Sequence, residues 1–413
     1  MTTAVTRGRN DLWWLLLVMV TGFFIAVTAH YVQGVYQGEM YPANTFLFRP
    51  ADGFESSPAI VGVHGFGDLF ATWRHAGDSS PYLEPSVFFP SNYLPFTHLL
   101  MRPFSWLPYI VVLVIFLVGT STAVVWLLAA QLSDLDLPLR LLSAGVLGLL
   151  NYPVLFMLDR GNVEAVVLLF LAAAALLARR NAWGWSAVLI GAAAAMKGYP
   201  GLFVLVLIGA RRYKEAAVAV ATAGGLTLLS LLTFSGGLVA NIRALLDTLR
   251  GFEAAGAGEA GVQHGSSLAG LASATGQLAP SLPSLGGAAT LVSLVVLIAG
   301  AIAIASGRLF LWQSCAVVAG AVVLVPTVAY DHRLVLLMVP LLLLLAEPAG
   351  LLRLPALLLL GLLLVPKGLP ILYGEVRLSV LVNPVLLLVL VFGLSAAALR
   401  QPPGSGAQKQ VRA

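Results

Sequence analysis

Residues 179–214 read RRNAWGWSAVLIGAAAAMKGYPGLFVLVLIGARRYK, and the threading of this stretch decides the fold. It opens on Arg179-Arg180 and closes on Arg211-Arg212 and Lys214, with two apolar arms, 183–196 and 200–211, in between. A helix needs about 20 apolar residues to cross the hydrocarbon core of a bilayer, so each arm is short for a crossing. The positive-inside rule puts both basic clusters on the cytoplasmic side. That holds only if the arms go in and come back. The turn between them, Lys197-Gly198-Tyr199-Pro200, carries the Gly and Pro expected of non-helical backbone that faces protein or a wet cavity. The predicted element is a hairpin or broken helix with a lysine at its tip.

Composition extends this reading to the whole chain. Of 413 residues, 59% are hydrophobic and 10% charged, and apolar runs of roughly 17 to 25 residues, the length of a spanning helix, recur from end to end. Backbone groups in hydrocarbon must find partners within their own segment, which open sheets and lipid-facing loops cannot provide. The predicted fold is an all-α polytopic membrane protein. Its helices are expected near 12–30, 106–131, 139–157, 162–178, 183–196, 200–211, 215–236, 287–306, 309–326, 334–347, 354–366 and 378–399. These twelve helices bring both termini to one side. A cytoplasmic N-terminus then places Arg179-Arg180, Arg211-Arg212-Lys214, Arg308, Arg353 and the tail from Arg400 to Arg412 inside. Residues 1–400 read as one integral membrane domain and 401–413 as a disordered cytoplasmic tail.

Other function classes recede at this point. The formal charge of +5 is scattered over helix ends without a basic patch, so no nucleic-acid partner is expected. Cys315 is the sole cysteine, which excludes an intrachain disulfide, a cysteine-ligated zinc site or an iron–sulfur cluster. Arg7 and Arg9 precede the first apolar run, and Val27-Thr28-Ala29 has the small-residue pattern of a cleavage site. The run from Leu12 to Ala29 is long for a signal peptide, and a retained anchor is the reading adopted.

The opposite, extracytoplasmic face is chemically rich. It holds the loop 31–105, the tip Asp159-Arg160-Gly161-Asn162, the Lys197 turn, the loop 237–286, Tyr330-Asp331-His332-Arg333, and the segment from Lys367 to Arg377. Cations placed against the positive-inside bias are candidates for binding a phosphate headgroup, with lipid contact or a structural ion pair as the alternative. Asp68 stands in the first loop as a carboxylate just outside the membrane, a general base by position or the N-cap of a short helix after Gly67. Asp159 reads as an ion-pair partner of its neighbour Arg160, and Asp78, before Ser79-Ser80-Pro81, as a turn residue. Trp73, Tyr82, Trp106 and Tyr109 suit either sugar stacking or the aromatic belt of the interface. Residues 238–253 have the spacing of an amphipathic surface helix. Residues 254–286, rich in Gly, Ala and Ser, read as a flexible gate or linker.

Six short blocks run in order along the chain. They are Gly67-Asp68-Leu69-Phe70-Ala71-Thr72-Trp73-Arg74 with Gly77-Asp78 and Pro81-Tyr82; Phe89-Pro90-Ser91-Asn92-Tyr93-Leu94-Pro95 with Arg102-Pro103; Arg160-Gly161-Asn162-Val163-Glu164; Ala195-Met196-Lys197-Gly198-Tyr199-Pro200; Gly265-Ser266-Ser267-Leu268; and Tyr330-Asp331-His332-Arg333-Leu334-Val335. Together they resemble the polyprenyl-phosphate-sugar-dependent glycosyltransferases of the GT-C superfamily, specifically glycosyltransferase family 87, which contains bacterial mannosyltransferases. The chain departs from the family pattern where Asn92-Tyr93-Leu94 breaks a double proline, where Glu164 replaces a usual amide, and where Arg333 replaces a second histidine.

The resemblance implies an inverting membrane glycosyltransferase in a bacterial plasma membrane. It would pass a sugar, mannose first and arabinofuranose as the alternative, from a polyprenyl-phosphate donor to a lipid-linked or envelope glycan acceptor. Asp68 would be the base. Lys197, His332, Arg333, Arg160 and Arg102 would attend the donor phosphate. Tyr82, Asn92, Tyr93, Asn162, Tyr199, His264, Ser267 and Asp331 would line the substrate site. No cofactor is implied, and a metal is less needed than with nucleotide-sugar donors because a lipid phosphate leaves. Two rival classes remain: an ion-coupled transporter or flippase, which would place its charges near the midplane and show internal repeats, and a non-catalytic assembly subunit. No convincing repeat is visible, and the charges gather on one face.

Overall fold

The computed structural model of the chain describes residues 2–36, 65–87, 90–256, 265–281, 283–347, 352–367 and 376–400. Helices make up nearly all of this. An isolated antiparallel bridge pairs Gly265 with Tyr330. The protein is an all-α membrane protein. Among the described residues, five helices are long and apolar enough to cross a bilayer, Asn10–Ala29 within the first helix, Tyr109–Gln131, Tyr213–Leu232, Gly286–Ala305 and Leu378–Arg400, and six if the bent pair Leu137–Leu149 and Tyr152–Arg160 is one span.

The twelve helices predicted from sequence, two of them short arms, are not matched by as many long helices among the described residues. The run expected at 139–157 is instead two helices, Leu137–Leu149 and Tyr152–Arg160, bent by 62°. The break has a local cause. Asn151 caps the second helix by accepting from the Val154 N–H at 3.3 Å, and Pro153 in its first turn has no N–H to give back to the first helix. Elsewhere apolar runs begin as tight 3-10 turns: Tyr199–Phe203 leads into Val204–Gly209, and Asp331–Leu337 leads into Met338–Leu345. Pro200 opens the first of these. The linker reading of 254–286 is also corrected. Leu268–Leu278 is a helix, capped by the Ser267 hydroxyl, which accepts from the Gly270 N–H at 3.1 Å. Residues 257–264 lie outside the described residues.

Helices Leu311–Leu324 and Met338–Leu345 are buried along their whole length and form the centre. Around them Tyr109–Gln131 and Gly286–Ala305 leave large aliphatic side chains such as Ile110, Val118, Leu291 and Ile302 exposed, as a surface solvated by lipid tails requires.

The polar side chains collect at two ends. At one end Arg179 donates to the Ala346 carbonyl at 3.1 Å and to Gln131 at 3.2 Å. There too Arg353 donates to the Leu345 carbonyl, and Arg308 donates to the Leu399 carbonyl at 3.3 Å. Arg212 lies over the Trp183 ring at 5.4 Å, so the two ends of the 179–214 stretch lie side by side, as an in-and-back path demands. At the other end the Met196 carbonyl, last in helix Trp183–Met196, accepts from Thr97 at 3.0 Å and from the Leu94 N–H at 3.3 Å. The Lys197 turn is thereby fixed against the segment that leads out of the first loop. The surface helix Leu238–Gly256 joins this end through Asn241, which accepts from the Ser80 hydroxyl at 2.6 Å.

Candidate active site

The site is assembled on one glycine. Helix Tyr152–Arg160 ends at Gly161, whose φ of 65° is the left-handed value that favours glycine. A Cβ there would stand 2.5 Å from the Cβ of Leu69. Without a side chain at 161, helix Gly67–Ala76 lies directly on the turn, and the Phe66 N–H donates to the Asp159 carbonyl at 3.0 Å. Asp68 is thus brought to the Arg160-Gly161-Asn162 tip across almost a hundred residues of sequence.

Asp68 does not cap its helix. The N-cap position belongs to Phe66, and no side chain caps the helix. The carboxylate instead receives a two-pronged hydrogen bond from Arg160, Nε to Oδ2 at 2.9 Å and an Nη to Oδ1 at 3.0 Å, and a third from the Asn162 amide to Oδ2 at 2.6 Å. The expected Asp159–Arg160 pair gives way to this one, because adjacent side chains on a helix point apart. Burial pushes the Asp68 carboxyl up. The Arg160 charge, the hydrogen bonds from Arg160 and Asn162, and the Lys197 charge outweigh burial and hold the carboxyl below its ordinary range. Asp68 is therefore ionised at neutral pH, and with its side chain 21% exposed it remains reachable.

Asn162 connects this pair to a second. Its carbonyl oxygen accepts from Lys197 Nζ at 2.8 Å and from the Glu164 N–H at 3.0 Å. Lys197 also donates to Glu164 at 2.8 Å, and the Tyr199 hydroxyl donates to the same carboxylate oxygen. Lys197 is therefore committed to a buried ion pair. Arg333 stacks over the Tyr199 ring at 4.6 Å and, among the described residues, makes no ion pair with a carboxylate. Tyr93 lies 5.2 Å from Lys197 Nζ, and Tyr330 lies 5.9 Å from the Arg160 guanidinium.

The other predicted residues sit at varying remove. Tyr82 is buried one layer back and donates to the Tyr93 carbonyl at 2.8 Å, so it supports a site residue. His332 is held against the rings of Phe156 and Tyr330, one ring away from Arg160. Asp331 accepts from Ser266 and from Asn383 at 3.4 Å, in a buried knot that ties helix Leu378–Arg400 to the chain. Ser267 is a helix cap. Arg102 lies in the 3-10 turn Arg102–Trp106, half-buried, and makes no ion pair among the described residues. Asn92 is half-buried before helix Pro95–Met101, and His264 lies outside the described residues. Asp78 is a turn residue that accepts from the Ser86 N–H at 3.0 Å. Of the four aromatic candidates, Trp73 and Tyr109 pack at 5.5 Å and share Phe70, while Trp106 is 88% exposed.

Glu164, read from sequence only as a departure from the family pattern, is the site residue whose role as the partner of Lys197 was missed. Its signal was present: a lysine at a membrane-embedded turn requires a counter-charge, and an acid at the head of an apolar helix is the matching anomaly.

A model of glycosyltransferase family 87 matches residues 92–329, more than half of the chain. The chain belongs to glycosyltransferase family 87. It is a membrane glycosyltransferase, which sets the transporter reading aside. No curated protein matches the sequence. Within this family 87 chain, Arg160, Asn162, Glu164, Lys197 and Tyr199 lie inside the matched residues, while Asp68 precedes them and Arg333 follows. The cluster is thus a family core closed at both ends by flanking sequence.

Proposed function

We propose that this family 87 enzyme transfers a sugar, mannose in the first instance, from a polyprenyl-phosphate donor to a lipid-linked or cell-envelope glycan on the extracytoplasmic face of a bacterial plasma membrane. The observation that carries the reading is an ionised, reachable carboxylate held by Arg160 and close to Lys197, with Arg333 stacked on Tyr199 beyond, at one polar end of an apolar bundle. Asp68 Oδ2 accepts two hydrogen bonds from the network and Oδ1 accepts one, so Oδ1 keeps a lone pair for the acceptor hydroxyl.

In this scheme the acceptor oxygen attacks the anomeric carbon and its proton passes to Asp68. The bond from that carbon to the lipid-phosphate oxygen breaks, its electron pair stays with the phosphate, and the configuration inverts. Arg333, whose charge lacks a carboxylate partner among the described residues, is the resting ligand for the donor phosphate, with Lys197 behind it. The polyprenyl tail stays in lipid along the exposed aliphatic helices. Trp73, Tyr109 and Phe70 offer ring faces beside Asp68 for a sugar.

Purified Asp68→Asn protein should fold and bind donor, yet lose transfer by about 100-fold or more, the usual share of a general base. The measurement is turnover with polyprenyl-phosphate mannose, run beside the arabinofuranose donor to separate the two sugars. Normal turnover by the variant would overturn the proposal.

A further inference from the structure

The charges of the cluster match the reaction before and after transfer, and the match depends on Arg160. Three cations, Arg160, Lys197 and Arg333, face two carboxylates, Asp68 and Glu164, which leaves one positive charge. A polyprenyl-phosphate sugar is a phosphodiester and carries one negative charge. When the sugar has left, the lipid phosphate is a monoester, whose second ionisation lies near 6, so close to two negative charges remain. The proton taken up by Asp68 cancels one carboxylate in the same step. The cluster then carries two positive charges.

Only one cation is set free by that proton. Lys197 stays locked by Glu164 and Asn162, both at 2.8 Å, and neither of those partners changes charge. Arg160 is held by both prongs to Asp68, and its ionic partner disappears when Asp68 becomes neutral. A guanidinium presents two parallel N–H groups as readily to a phosphate as to a carboxylate, and Arg160 is not sealed in, with its side chain 19% exposed. We infer that Arg160 is handed from Asp68 to the departing phosphate as Asp68 takes the acceptor proton, so that one residue couples the base to the leaving group. The C–O bond to phosphate breaks, the phosphate oxygen keeps the electron pair, the proton resides on Asp68 Oδ1, and Arg160 exchanges hydrogen-bond acceptors without losing a proton.

This inference rests on the polyprenyl-phosphate reading above, and its test needs no turnover. Asp68→Asn imitates the protonated base. Binding of farnesyl phosphate, a monoester, is measured to protein in nanodiscs at pH 8, with methyl farnesyl phosphate as the diester and farnesol as the uncharged control. Asp68→Asn should bind the monoester roughly tenfold tighter than the unsubstituted protein, with a smaller change for the diester, the scale of a charge-assisted pair gained. In an Arg160→Gln background the same Asp68→Asn change should give no gain. A gain that persists without Arg160 is a general field effect and overturns the hand-over. Equal monoester binding by Asp68→Asn and unsubstituted protein overturns it as well, and Asp68→Ala repeats the comparison if the asparagine variant folds poorly. Failure of both phosphates to bind better than farnesol overturns the donor reading and this inference together.

Discussion

Lys197 and Glu164 show what one residue reveals and conceals. Lysine at the tip of two short apolar arms is visible in the sequence as a charge out of place. Its partner is not, because Glu164 lies 33 positions away and reads as the first acid of a leucine-rich helix. Once paired, Glu164 is fully buried and Lys197 is 12% exposed, so neither charge has water to fall back on. Removing one partner of such a pair costs about 3–5 kcal/mol, while replacing both with apolar groups is close to neutral. Glu164→Ala should therefore lower thermal stability sharply, and Glu164→Ala with Lys197→Met should restore most of it without restoring transfer. Unfolding followed by intrinsic fluorescence across the two single variants and the double variant checks this. Additive losses would show that the pair does not carry the coupling assigned to it.

At the scale of elements, hydrophobic periodicity found where helices lie, and local chemistry decided their shape. The bend at Asn151 and the 3-10 starts at Tyr199 and Asp331 come from caps and tight turns. A hydropathy pattern cannot register them, although Pro153 and Pro200 stood in view. The short helix after Gly67 was foreseen, whereas its neighbour Pro95–Met101 was not, since it lies in a polar loop; the two pack through two histidines. His98 is 1% exposed, and its ring meets His75 and Tyr82 at 5.9 Å each. Burial, and next the neighbouring His75, push His98 down from 6.5 to about 3. Burial also lowers His75, against the opposing pull of Asp78, which accepts from it at 3.1 Å.

The sign of the resulting pH dependence follows. Below about 6.5 the unfolded chain binds a proton at His98 that the folded chain refuses until about pH 3. The stability contributed by neutral His98 is therefore complete above 6.5 and drains away as pH falls toward 3, at up to about 1.4 kcal/mol per pH unit for one proton. Melting temperature in nanodiscs should drop between pH 7 and pH 5, and His98→Phe, which keeps a ring in place, should flatten that slope. An unchanged slope would show that His98 does not set it.

For the whole molecule, the charge pattern of the 179–214 stretch predicted that its two ends lie together, because charge asymmetry is a property of the chain rather than of any contact. The Arg212–Trp183 and Arg179–Ala346 contacts gather one polar end. The Asp68 cluster, Thr97–Met196 and Ser80–Asn241 gather the other. What charge counting could not supply was the meeting of Asp68 with Arg160 and Asn162. That meeting depends on Gly161 lying against Leu69, a steric fit written in two positions far apart. The two ends also make orientation testable in living cells. Cys315 is buried and the only thiol, so a Cys315→Ala background accepts single reporters. Asp247→Cys on the surface helix should react with a membrane-impermeant maleimide in intact cells, whereas Arg180→Cys and Arg400→Cys should react only after the membrane is opened. The positive-inside rule requires that outcome if Asp68 faces outward. The reverse pattern would move the chemistry to the cytoplasmic face and require a donor headgroup displayed there.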